Sequence, residues 1–161
     1  MSQKIIPSLW FDTEAEEAAA FYTSIFKNAR ILSKTHYTEG SPREAGTVMT
    51  VEWELDGQRF TGINGGPQFK FDEAVSFQIT CEDQDEVDHY WDRLTEGGSE
   101  SQCGWLKDRF GLSWQVVPKG MGEVFSNPDP EAARRAMQAM LKMKKIDIAA
   151  LRAAADGVPV S

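Results

Sequence analysis

Two stretches of this chain carry the same ordered set of signals, and that repetition limits the fold more than any other feature. The first stretch opens with an alternating strand, Ile5 to Asp12. Leu9 and Phe11 point one way, and Ile6, Ser8 and Trp10 the other. Thr13 is expected as the N-cap of a helix with Glu16 at N3, a capping-box spacing. That helix runs to about Phe26 with Ala18, Phe21, Tyr22, Ile25 and Phe26 as its apolar stripe. Strands at 30–37, 47–55 and 58–64 follow, with a polar loop at 38–46 and the hairpin dipeptide Asp56-Gly57. The second stretch has a strand at Val75–Cys81, a helix capped by Asp83 with Glu86 at N3, and Gly97-Gly98 to end it. A hairpin closes it: strand Cys103 to Lys107, turn Asp108 to Gly111, and return strand Leu112 to Val117, stopped by Pro118. Phe21-Tyr22 corresponds to Tyr90-Trp91, and Asp56-Gly57-Gln-Arg-Phe60-Thr61 to Phe110-Gly111-Leu-Ser-Trp114-Gln115. Such a repeat predicts an α+β fold of two similar small sheets.

The 161 residues suit a sizeable core. A net charge of −8 and a pI near 4.8 argue against nucleic acid or an anionic membrane as partner, because both need basic patches. No apolar run reaches the length of a membrane span. The N-terminus lacks the apolar core of a signal peptide, and Cys81 and Cys103 have no metal-type spacing. Free thiols without a leader fit a cytoplasmic protein.

After Pro118 the composition changes, which sets the expected division: a domain at 1–118, with repeats at about 5–64 and 75–118, and a helical extension at 119–161. Asp129 caps one helix with Pro130 at N1, and Asp147 caps another. Met137, Met140 and Leu141 read as a stripe that docks on the sheet or on a partner subunit. Lys142, Lys144 and Lys145 read as complements to a helix C-terminal dipole.

Several stretches carry a resemblance: Leu-Trp-Phe-Asp at 9–12, Glu-Glu-Ala at 16–18, Phe-Tyr-x-Ser-Ile-Phe at 21–26 and Leu-Asp-Gly at 55–57. It continues in Asn-Gly-Gly-Pro-Gln-Phe at 64–69, Cys103 to Pro118, and Met-Lys-Lys-Ile-Asp at 143–147. The chain resembles the vicinal oxygen chelate superfamily, which includes glyoxalase I, bleomycin-resistance proteins and extradiol dioxygenases. Within it the chain is similar to the PhnB-like branch, the 3-demethylubiquinone methyltransferase-type domain. The resemblance implies tandem βαβββ repeats forming an open barrel, and a homodimer. It also implies a concavity across which the first strand of one repeat faces the last strand of the other. Methyl transfer gains nothing from the residues, because the usual methyltransferase needs a Gly-rich loop after its first strand. Here that strand runs into Asp12-Thr13-Glu14.

Metal-binding relatives place ligands at positions that fall near Ile6, Thr61, Ser76 and Gln115. Ile6 cannot bind a metal, Thr61 and Ser76 are poor ligands, and Gln115 offers one neutral oxygen. No metal and no other cofactor is therefore expected. If the apolar faces go to the helices, Ser8, Trp10, Thr61, Ser76, Gln78, Ser113 and Gln115 line the concavity. Ile63 and Thr80 lie beside them; Glu52 and Glu54 join the lining if the third strand turns its polar face inward, and a solvated edge is the more common place for such glutamates. This aromatic-walled, uncharged lining suits a small organic ligand. The expected function is metal-independent binding or sequestration of such a ligand, with no assignable catalytic residue. The alternative is a metal-dependent lyase, isomerase or dioxygenase.

Overall fold

One strand order occurs twice in the computed structural model, which describes residues 3–158. The chain divides between Phe71 and Asp72 into two units.

The first unit contains β1 (Ser8–Phe11), α1 (Ala15–Ile25), β2 (Arg30–His36), β3 (Val48–Leu55) and β4 (Gln58–Asn64). Its sheet has the order β1-β4-β3-β2, with β1 and β4 parallel and the other pairs antiparallel. The alternation reads correctly. Leu9, Phe11, Val51, Trp53, Leu55 and Phe60 are buried, together with Ala18, Tyr22 and Ile25 of α1. Trp53 stacks on Phe60 at 5.9 Å. Burying side chains of this size stabilises the unit by about 1.5–3 kcal/mol each.

The expected cap of α1 is not the observed one. Glu14 occupies the N-cap position and makes no side-chain cap bond. The acceptor comes instead from the end of β4, where Asn64 Oδ1 takes the Ala15 N–H at 2.9 Å. Asn64 Nδ2 donates to the Val48 carbonyl, and Tyr37 Oη donates to the Asn64 carbonyl at 2.6 Å. One buried amide thus ties helix, strand and loop together.

The second unit contains β5 (Ser76–Cys81), α2 (Gln84–Leu94), β6 (Ser99–Glu100), β7 (Trp105–Lys107) and β8 (Ser113–Pro118). The order is β5-β8-β7-β6, with β5 and β8 parallel. Asp83 caps α2 as read, accepting from Glu86 N at 2.9 Å. Val87, Tyr90, Trp91 and Leu94 meet a core that includes Leu106, Trp114 and Val116. Trp91 Nε1 donates to Glu100 Oε1 at 2.7 Å, which holds β6, a strand the periodicity is too short to reveal. The first strand of the hairpin begins at Trp105 rather than Cys103. Cys103 and Gly104 have φ of 58° and 85° and form a turn.

The extension folds as α3 (Met121–Phe125), α4 (Pro130–Met140) and α5 (Ile148–Ala155) within the second unit. Asp129 and Asp147 cap α4 and α5 as expected. The stripe is different. Ala132 and Ala136 turn inward against Val124, Leu151 and Ala155, and Met140 of the expected stripe packs partly buried against this core, whereas Met137 and Leu141 are exposed.

Backbone bonds pin the extension to the turn. Cys103 N donates to Met143 O at 2.9 Å, and Gly104 N donates to Lys144 O at 2.8 Å. The Gln84 side chain gives its amide N–H to Ile146 O and accepts from Ile148 N, while Ile146 is fully buried. Lys145 pairs with Asp88 of α2 at 3.1 Å rather than with a helix end. The Gln84 amide and Lys145 together hold the Asp88 carboxyl below its usual range.

The thiols differ sharply. Burial, aided by the Glu86 and Asp83 carboxylates, pushes Cys81 from 9.0 up to about 12. Cys103 is half-buried, with Sγ 3.6 Å from the Met140 carbonyl. A thiol-disulfide reagent should therefore modify Cys103 first in native protein, and Cys81 only after denaturation. Above about pH 9 the unfolded chain loses the Cys81 proton while the folded chain keeps it until about pH 12. Stability from this group is full below pH 9 and falls as pH rises through that window. Labelling of both cysteines at equal rates in native protein would contradict the burial.

Candidate functional site on the open sheet faces

Each sheet has one face covered by its helix and one opposite face, which is called open here. In the first unit, strand register places Ser8, Thr61, Glu52 and Ser33 in one row and Trp10, Ile63, Thr50 and Thr35 in the next. Arg59, Glu54 and Arg30 form a third row. Glu52 and Glu54 therefore share the face with Thr61 and are not an isolated edge. Their charges are balanced locally: Arg59 Nη2 lies 2.8 Å from Glu52 Oε2, and Arg30 Nε lies 2.9 Å from Glu54 Oε1. The open face of this unit thus carries two carboxylates and two guanidinium groups beside its neutral residues. Arg30 stands directly opposite Glu54, whereas Arg59 reaches Glu52 diagonally across the strands, and both arrangements bring unlike charges together.

Trp10 points to the open face as its phase predicts, but its ring is held by its own unit. Nε1 donates to the Gly66 carbonyl at 2.9 Å, and Phe69 meets the ring edge-on at 5.0 Å. A Cβ on Gly65 would lie 2.2 Å from the ring. The motif at 64–69 is thus a clasp around Trp10, and Asn64 at its start caps α1. Asp12, the next acidic residue, approaches Arg43 at 3.8 Å.

In the second unit the open face carries Ser76, Gln78 and Thr80 of β5, Ser113, Gln115 and Val117 of β8, Trp105 and Lys107 of β7, and Ser99 of β6. Gln115 Nε2 donates to Ser76 Oγ at 2.9 Å. Gln78 is exposed. Ser113 is 1% exposed, and its hydroxyl has no hydrogen-bond partner among the described residues. Buried hydroxyls are ordinarily paired, so this one stands out. The seven expected site residues therefore fall into two groups: Ser8, Trp10 and Thr61 on one sheet, and Ser76, Gln78, Ser113 and Gln115 on the other.

The first unit also has a pocket of about 440 Å³ that contains none of the seven. It lies between the start of α1 and the 38–47 loop, lined by Thr13, Glu16, Arg43, Glu44, Gly46, Thr47, Val48 and Asn64. The loop reads in sequence only as a polar connection, and the fold of its return to Asn64 carries no local signal.

A duplicated βαβββ unit, with one parallel strand pair in each sheet, is the fold of the vicinal oxygen chelate proteins. The chain belongs to the 3-demethylubiquinone-9 3-methyltransferase family, PhnB-like, whose model matches residues 3–117. A PhnB protein from Bacillus cereus is 36% identical, with a TM-score of 0.66 over 72% of this chain and 99% of that one. The fosfomycin resistance protein FosX from Listeria monocytogenes, solved with Mn(II) and sulfate, is 19% identical, with a TM-score of 0.53 over 76% of this chain and 97% of that one. A glyoxylase/bleomycin resistance protein/dioxygenase domain from Frankia is 16% identical, with a TM-score of 0.50 over 73% and 98%. At the last two identities the likeness concerns the fold alone. No curated protein matches the chain.

The donor set does not fit a metal of the kind FosX holds. Ile6 has no donor atom, Thr61 carries a neutral hydroxyl, and Ser76 Oγ already accepts from Gln115. Among the described residues no three His, Cys, Asp or Glu side chains are grouped to hold an ion. Nor does either sheet offer the parallel framework of the usual methyltransferase. Each has a single parallel pair, and β1 leads to α1 through Asp12-Thr13-Glu14. Among the described residues no helix is long and apolar enough to cross a membrane.

Proposed function

We propose that this PhnB-like protein binds a small organic molecule on the open face of its second sheet, without help from a metal. One observation carries this reading: the buried Ser113 hydroxyl has no partner among the described residues, and it sits one strand from Ser76, which Gln115 already orients. A buried donor left unpaired costs about 1–3 kcal/mol, and a ligand acceptor placed there would recover that cost. Gln115 adds an amide whose direction is set before any ligand arrives, so little ordering entropy is lost on binding.

A fragment screen followed by NMR tests the reading. Binding fragments should shift the Gln115 side-chain amide and the amides flanking Ser113. Gln115→Leu should weaken the best fragment by about 1–3 kcal/mol, the effect of one buried hydrogen bond. Fragments that shift only the first unit would place the site elsewhere. One tightly held metal ion per chain, found by elemental analysis after purification without chelator, would favour the enzyme reading instead.

A further inference from the structure

The row through Ser113 contains one residue from each strand of the second sheet: Ser76, Ser113, Lys107 and Ser99. Among the strand residues of that face, Lys107 is the sole cation. Its Nζ is ion-paired with Glu73, which precedes β5. Since β8 lies between β5 and β7, this pair bridges the strand that carries the buried hydroxyl. Both partners are substantially exposed, with side chains at 39% and 61%. An exposed pair of this kind is weakly held and readily exchanged.

We propose that Lys107 and Ser113 form a subsite for the carboxylate of a small organic acid, which takes the place of the Glu73 carboxylate on Lys107 and adds the Ser113 contact that Glu73 does not make. This deepens the binding reading above and rests on it. Lys107 already holds a carboxylate, so the incoming group matches the one it replaces. Lysine is a point charge on a flexible stem, able to swing from one oxygen to another. The Ser113 O–H, unpaired in its buried position, donates to one oxygen of the acid. Gln115, fixed on Ser76, borders the uncharged remainder of the ligand. A dianion would set two charges against one cation beside Glu73, so a single negative charge is preferred. The exchange makes and breaks no covalent bond.

Benzoate and benzamide share a shape and differ in charge, and NMR titration of both tests the subsite. Wild type should bind benzoate more tightly than benzamide, with shifts at Gln115 and around Ser113. Glu73→Gln removes the internal competitor and should tighten benzoate about tenfold, or about 1.4 kcal/mol, while leaving benzamide unchanged. Lys107→Met should abolish the preference for benzoate, and Ser113→Ala should weaken benzoate without removing that preference. If benzamide binds as well as benzoate, or if Glu73→Gln has no effect, the carboxylate subsite is wrong and the binding face survives. If inorganic phosphate displaces benzoate at equal concentration, the preference for one charge is wrong. If neither organic probe shifts the second-unit face, both readings fall.

Discussion

Gly65→Ala is expected to lower the unfolding free energy by about 2–3 kcal/mol, the cost of forcing atoms into a filled space. The new methyl would stand 2.2 Å from Trp10 Cζ2 and 2.3 Å from Cη2. The ring cannot simply swing aside. Its N–H is held by Gly66 O, and Phe69 packs against it. The cost should therefore belong to the pair and not to the glycine alone. In a Trp10→Ala background, Gly65→Ala should cost little, giving a coupling of about 2 kcal/mol in a double-mutant cycle. Denaturant midpoints of the four proteins provide the measurement. Strictly additive effects would mean that the ring is not what excludes a side chain at residue 65.

That clasp shows how far a sequence of this kind can be read. Alternation along β1 and β3 is local information, so the burial of Leu9, Phe11, Val51 and Trp53 follows from spacing alone. The two helices and both late caps, Asp129 and Asp147, are legible for the same reason. Asn64 is not. Its role as acceptor for Ala15 N depends on β4 lying parallel to β1, a contact between residues 49 positions apart. Thr13 satisfies the local capping rule and loses to this distant amide.

The face residues divide along the same line. Glu52 and Glu54 lie opposite Val51 and Trp53 by simple alternation, but only cross-strand register reveals Arg59 and Arg30 as their counterions. Burial frequencies favour a solvated edge for glutamate, and they miss neutralisation by a neighbouring strand. Cys103 reads as a strand residue because it leads into Trp105 and Leu106 of the hairpin. Its positive φ becomes visible only with the backbone of Met143 and Lys144 laid against it. Ser113 alternates correctly to the open face. Nothing local to it indicates that it is buried there without a partner among the described residues.

The hairpin that closes the second repeat depends on a buried carboxylate, and replacing it should have the larger effect. Asp108 is 2% exposed. Its Oδ1 accepts from Phe110 N at 2.9 Å and Leu112 N at 3.1 Å, and Oδ2 accepts from Trp114 Nε1 at 2.9 Å. The turn is thereby fastened to the core tryptophan of the return strand. Asp108→Ala removes the acceptor of all three, and for the two buried donors, Leu112 N and Trp114 Nε1, each left unmet costs about 1–3 kcal/mol. A loss of about 4 kcal/mol or more is expected, enough to unfold a marginal domain. Asp108→Asn separates charge from geometry. The amide oxygen can still accept from the two backbone groups, but its NH2 then points a donor at the indole N–H. Trp114→Phe removes that opposing donor. The double variant Asp108→Asn/Trp114→Phe should therefore be less destabilised than the sum of its singles by about 1–2 kcal/mol. Equilibrium unfolding of the four proteins measures the coupling. If Asp108→Asn matches wild type, the carboxylate is no more than a turn residue and the indole contact contributes nothing to the hairpin.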